Sequence, residues 1–188
     1  HYKMLWAEDI PVLRDADDAG RGRAVRLIAG SHAGTTAPAP SPESWAADGD
    51  GQVAIQIIAL DAGAEWTLQA AAQGVRRMLY FFEGESLDIA GSAFPAYHAA
   101  ELDGAVDVPL RNGPTPSRLL LLQARPLAEP VAQYGPFVMN TEGEIRQAFI
   151  DFQRSQFGGW PWERPDPVHP VDSGRFARYP DGRSEQRS

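Results

Sequence analysis

Cysteine is absent from the 188 residues. That excludes disulfides, thiolate metal sites and a cysteine nucleophile, and leaves the compartment open. Positive charge is scarce: 17 Lys plus Arg stand against 25 Asp plus Glu, a formal net charge of −8. Nucleic-acid affinity rests on neutralising phosphates, so a broad phosphate-binding face is excluded, as is docking on anionic lipid. No stretch approaches the roughly 18 apolar residues of a membrane span; the most apolar runs cover residues 53–60 and 78–82. Histidine is sparse, and neither His-x-His nor His-x3-His occurs. A nucleophile elbow, a phosphate loop and a dinucleotide fingerprint are missing too.

What is present suits a folded protein. Hydrophobic residues make up 43%, near the globular average. The 18 Gly and 16 Pro exceed what a helix bundle tolerates and fit short strands joined by many turns. The length allows one domain of roughly 150 residues plus an appendage. Residue 1 is His, and no signal-peptide pattern follows it, so the chain reads as a processed or truncated cytoplasmic piece.

Alternation predicts a lead-in strand at 2–6, where Tyr2, Met4 and Trp6 share one face, ended by Glu8-Asp9-Ile10-Pro11. Residues 14–22 are charged and turn-rich, and 23–28 read as a strand with one wet face. A long loop covers 30–50, because Pro38, Pro40 and Pro42 cannot join a sheet interior. Residues 52–60 are apolar on both faces, the mark of a strand covered on both sides. Further strands are expected at 65–68, 76–82, 86–89, 94–102, 106–110 and 118–123. Their spacing of roughly 8–12 residues with turns between is an all-β signature.

One segment breaks this pattern. Thr141 followed by Glu144 makes a capping box, and Ile145, Ala148, Phe149 and Phe152 form an apolar stripe. An amphipathic helix is expected at about 141–156, ended by Gly158-Gly159. The reading is therefore a domain over 1–157 and an irregular Trp/Pro-rich arm over 158–188. The arm has five Arg and five acidic residues, so the whole negative excess lies before it. Its last residues are expected to be loose, and Trp160 and Trp162 to pack.

The strand series resembles the cupin type of jelly-roll barrel, two facing sheets. Metal-binding cupins carry G-x5-H-x-H-x3,4-E-x6-G and a later His, because residues i and i+2 of a strand reach one ion. Gly63 and Gly84 can serve as the outer glycines. Gln69 and Ala71 then stand at the His positions, and Arg76 or Arg77 falls near the Glu position. The later His falls near Pro116 or Ser117. Every ligand is missing, and His1, His32, His98 and His169 share no ligand spacing, so no metal and no catalytic residue is expected in this chain. Gln69, Arg76 and Arg77 remain as candidate pocket or interdomain contacts. One of the two arginines must point inward. It would meet an anion or aromatic group in a pocket, or pair with Glu65, Glu83 or Glu101; the sequence leaves open which arginine this is. Tyr80-Phe81-Phe82 reads as core.

Several segments together resemble the C-terminal half of the pirin family, in its bacterial form. They are Leu79-Tyr80-Phe81-Phe82-Glu83-Gly84, then Leu119 through Pro126, then Tyr134-Gly135-Pro136-Phe137-Val138-Met139-Asn140-Thr141, then Phe157-Gly158-Gly159-Trp160-Pro161-Trp162, and Gly174-Arg175-Phe176-Ala177-Arg178. Pirins are bicupins. The resemblance implies an N-terminal cupin, absent from this chain, that holds iron (Fe2+) with three His and one Glu. It implies a quercetin-type dioxygenase acting on a flavonol-like aromatic substrate, with this half non-catalytic and closing the pocket. This chain alone would not be an enzyme. The rival reading is a non-enzymatic interaction protein of the transcription-coregulator type.

Overall fold

The computed structural model of the chain describes residues 3–164 and 168–187. Chain order runs β1 (Val12–Ala16), β2 (Gly22–Ala29), the short β3 (Ser31–His32) and β4 (Thr35–Thr36), then β5 (Ala54–Leu60), β6 (Glu65–Leu68), β7 (Arg76–Glu83), β8 (Ser86–Ile89) and β9 (Ser92–Pro95). It continues through β10 (His98–Asp103), β11 (Val108–Asn112), β12 (Ser117–Ala124), the hairpin β13 (Ala132–Tyr134) and β14 (Phe137–Met139), and helix α1 (Glu142–Ser155). A last hairpin pairs β15 (Arg175–Arg178) with β16 (Ser184–Arg187). Among the described residues no helix is long and apolar enough to cross a membrane.

Two antiparallel sheets form a jelly roll: six strands in the order β1-β2-β5-β12-β7-β10 and four in the order β6-β11-β8-β9. Alternation explains the core. On β5, Ala54, Gln56, Ile58 and Leu60 are buried, while Ile55, Ile57 and Ala59 are half-buried on the other face. Leu79 and Phe81 of β7 and Leu119 and Leu121 of β12 join them. Leu68, Leu87, Val108 and Leu110 of the smaller sheet close the cluster. No strand pairing among the described residues joins the two sheets. The fold is thus the cupin-type roll of two facing sheets that the sequence suggested, an open two-layer sandwich rather than a closed barrel.

Three expected elements differ. Residues 3–6 form no strand, although Trp6 is buried; His1 and Tyr2 lie outside the described residues. The pairing edge of β2 is taken by Val12–Ala16, held in register by Arg23, whose Nε and Nη2 donate to Asp15 at 2.8 and 3.0 Å. The expected strand at 94–102 is split into β9 and β10 at Tyr97, which sits in the left-handed region at φ +60°. The arm is not irregular throughout. Its β15–β16 hairpin buries Ala177 and Tyr179, and Tyr179 Oη donates to Glu185 at 2.8 Å. Four-residue strands around a turn carry too little alternation to be seen in sequence.

The chain divides into two compact units, His1–Leu127 and Ala128–Ser188. The division falls ahead of α1 rather than after it, because the helix packs on the β13–β14 hairpin. The capping box is present: Glu144 N donates to Thr141 Oγ1 at 3.2 Å, and Thr141 N donates to Glu144 Oε2 at 2.8 Å. The helix stops at Gln156, itself left-handed at φ +51°, ahead of the glycine pair.

Candidate functional site

The two arginines at the start of β7 separate by pleat. Arg76 is exposed; Arg77 points into the roll and is 1% exposed. Arg77 Nη2 donates to Gly104 O at 2.9 Å, and Ala71 N donates to the same carbonyl at 2.7 Å. Gly104 is required there, since a Cβ would strike the Val75 carbonyl oxygen. Arg77 Nε and Nη1 are buried without a hydrogen-bond partner.

Among the described residues no acid bonds this guanidinium. Of the partners weighed from sequence, Glu65 faces Arg21 and Arg111 at 3.8 and 3.6 Å, and Glu83 faces Arg118 at 3.4 Å. Glu101 stands exposed opposite Met78. Glu101 lies on β10 beside β7, Glu65 on β6 of the other sheet and Glu83 at the far end of β7 itself; all three are exposed, whereas Arg77 is buried. The carboxylates that act on it through charge are Asp107 and Asp103, and both accept backbone N–H bonds elsewhere. Asp107 Oδ1 accepts from Ala70 N at 2.6 Å and Asp103 Oδ1 from Ala105 N at 2.8 Å. Burial lowers the Arg77 pKa from the ordinary guanidinium value, and the charges of Asp107 and Asp103 act against that shift.

The other motif positions do not gather into a ligand cage. Gln69 follows Leu68, which is buried in the core, so alternation turns Gln69 outward, and it is exposed. Ala71 is half-buried. The place of the later His is not near Pro116 or Ser117. Ser117 pairs with Leu60 at the far end of the roll, where a Cβ on Gly84 would strike its Oγ. The strand end beside Leu68 is instead Val108 of β11. Counting along the chain missed this because the register, not the sequence interval, decides which residues share an end. An amide turned outward, a methyl, a guanidinium and an isopropyl group do not fit iron. Among the described residues no group of three His, Cys, Asp or Glu could hold a metal ion. His32 meets Trp66 edge-on at 6.0 Å, His98 Nδ1 lies 2.9 Å from Ala96 O, and His169 stands 4.7 Å from Phe176. His1 lies outside the described residues.

Three buried polar residues escaped the sequence reading. Gln56 has its Oε1 unpartnered. Asn112 Nδ2 donates to Leu60 O, Asp61 O and Thr115 O at 3.2, 2.8 and 2.9 Å, tying two turns together. Asp17 is 7% exposed at its side chain. Burial raises its pKa, but N–H donors of Glu65, Arg21 and Ala19 and the Arg21 side chain overcome this and bring it to about 2. Asn112 before Gly113-Pro114 and Asp17 before Asp18-Ala19-Gly20 carried a turn signal only.

A cleft of about 890 Å³ runs between the 28–49 loop and the start of β5, with Pro38, Pro40, Ala54 and Gln123 in its wall. On the outer face of the six-stranded sheet, two cross-strand rows are apolar: Ile57–Leu120–Tyr80 and Ile55–Leu122–Met78. Tyr80 is 38% and Leu122 36% exposed.

The sequence pattern of the Pirin C-terminal cupin domain matches residues 56–158. Mouse Pirin is 38% identical over 103 residues, which cover 53% of this chain and 35% of that protein. A pirin-like protein of Caulobacter vibrioides is 34% identical over 159 residues, covering 83% of this chain and 52% of its own length. A crystal structure of quercetin 2,3-dioxygenase from Acinetobacter baumannii superposes with a TM-score of 0.65 at 28% identity, over 82% of this chain and 49% of that one. The chain therefore spans about half the length, or less, of these relatives. Over that span, the two-sheet roll, the hairpin and the capped helix place it in the pirin family, by way of the C-terminal cupin domain.

Proposed function

We propose that this chain is the supporting half of a bacterial, cytoplasmic pirin-type dioxygenase. The catalytic metal, iron, belongs to an N-terminal cupin outside this sequence, and the substrate is a flavonol. The observation that carries this reading is the match of residues 56–158 to the Pirin C-terminal cupin domain. The resemblance to the Acinetobacter quercetin 2,3-dioxygenase supports the chemistry. The longer alignment with the Caulobacter protein than with the mouse protein supports a bacterial origin.

In this reading the work of the chain is to present a rigid wall. The outer rows Ile57–Leu120–Tyr80 and Ile55–Leu122–Met78 would rest on the N-terminal cupin. Exposed apolar patches on a sheet mark contact surfaces. Burying them would exclude water from the space between the halves and hold the substrate's far side. The test uses the two-cupin protein loaded with Fe2+. It should consume oxygen and bleach quercetin absorbance, and Leu122→Asp should lower that activity while the roll stays folded. Absence of turnover with several flavonols would overturn the enzymatic reading in favour of an interaction protein.

A further inference from the structure

We propose that the outer face of the six-stranded sheet is self-complementary, and that the 188-residue chain uses it to bind a second copy of itself about a two-fold axis. The proposal goes beyond the reading above: it concerns this chain by itself, and an N-terminal cupin on the same face would displace the second copy. The starting point is the pleat. Successive residues of a strand point to opposite faces, so the positions that alternate with the buried core share the outer face. In cross-strand order one row reads Val12–Arg26–Ile57–Leu120–Tyr80–Ala99. The next row reads Ile55–Leu122–Met78–Glu101. The middle of the face is thus apolar, and its two sides differ in charge. Arg118 and Glu83 pair with each other at 3.4 Å, and Arg76 stands opposite Asp103. That leaves Arg14 and Arg26 on the β1–β2 side and Glu101 on β10. Among the described residues the side chains of Arg14, Arg26 and Glu101 make no hydrogen bond or ion pair.

Symmetry turns this asymmetry into a fit. The sheet order is β1-β2-β5-β12-β7-β10, so its middle lies between β5 and β12. A two-fold axis along the strands at that place sets β5 of one copy over β12 of the other, β2 over β7, and β1 over β10. Height along the strands is kept. Ile57 then meets the second copy's Leu120, and Ile55 its Leu122. Arg26 lies over the second copy's Tyr80 ring, a face that attracts a guanidinium. The second copy's Glu101 stands one strand and one row further, about 8 Å away, within reach of so long a side chain. The contact is isologous, so each pair occurs twice and the assembly closes at two copies. Twist sets aligned sheets roughly 30° apart, which displaces the ends of the rows more than their central pairs. Six strands about 4.8 Å apart and three outward rows about 7 Å apart span roughly 600 Å². Side-chain relief brings that near the roughly 800 Å² per partner of a standard interface. An apolar centre inside a charged rim is also the usual anatomy of such a contact.

Sedimentation equilibrium of the 188-residue chain tests the proposal without metal or substrate, so its failure is separate from failure of the dioxygenase reading. A mass of twice 20.5 kDa is expected at micromolar concentration. Leu122→Asp, at the exposed centre of the face, should leave a monomer with the far-ultraviolet dichroism of the parent. Arg26→Glu should weaken pairing about tenfold or more, because it sets like charges against each other. Adding Glu101→Arg to the same chain should recover part of that loss, since the double reversal restores opposite signs on the two sides. The pair of reversals decides the matter even if Leu122→Asp does not fold. A parent chain that stays monomeric at its highest soluble concentration would overturn the proposal. So would a dimer indifferent to Leu122→Asp and Arg26→Glu, which would place the contact elsewhere, or a double reversal that recovers nothing.

Discussion

The two units of the chain solve the burial problem with different materials. The roll encloses aliphatic side chains between two sheets, and Leu27, Ile58, Leu79 and Leu119 are fully buried. The C-terminal unit is held by ring edges. Phe137 meets Phe149, Phe152 and Phe157 at 4.8, 6.3 and 5.9 Å, and Tyr134 meets Phe149 at 5.7 Å. Much of that aromatic surface stays wet: Tyr134 is 69%, Phe157 60% and Trp160 50% exposed. A sheet pair covers its own core, whereas one helix on a hairpin cannot, so the second unit relies more on local devices such as the capping box.

That contrast can be broken by substitution. The largest effect is expected in the roll: Leu119→Ala should cost about 3 kcal/mol in denaturant unfolding, transfer and cavity terms together. A loss below about 1 kcal/mol would mean that the sheets are not tightly packed. Phe149→Asp comes next. Phe149 is half-buried between Tyr134 and Phe137, so a carboxylate there keeps part of its water, and about 2 kcal/mol is expected. A melting temperature equal to that of the parent would deny the aromatic packing. Thr141→Ala should cost about 1 kcal/mol, because Oγ1 no longer accepts from Glu144 N or donates to Glu144 Oε2. Fraying of α1 seen by hydrogen exchange, with the roll unaffected, would sharpen the distinction between the units.

The smallest expected effect is a change of slope with pH. The folded pKa of Asp17 lies at about 2, below the ordinary carboxylate value. Its contribution is therefore complete above roughly pH 4 and is lost as pH falls toward 2. Asp17→Asn should flatten this part of the acid-unfolding curve of the roll. An unchanged curve would show that the turn network does not act through charge.

The same division governs what the sequence could tell. The long strands β5, β7 and β12 were legible within about two residues at their ends, because one face meets the core. The helix was legible from Thr141, Glu144 and its stripe. The β15–β16 hairpin was not, because its four-residue strands carry no period. Arg76 and Arg77 show the deeper limit. Alternation guarantees that one faces inward but cannot say which; that follows only from the register of β7 against β12 and β10. The same is true of the later motif position, which the β6–β11 register moves to Val108.

The central claim is that this roll buries a fixed cation, Arg77, and that its described residues form no set of metal ligands. Titration of the chain with Fe2+ or Zn2+, followed by elemental analysis after gel filtration, tests it most directly. The account predicts no stoichiometric metal; one ion per chain, retained against dilution, would contradict it.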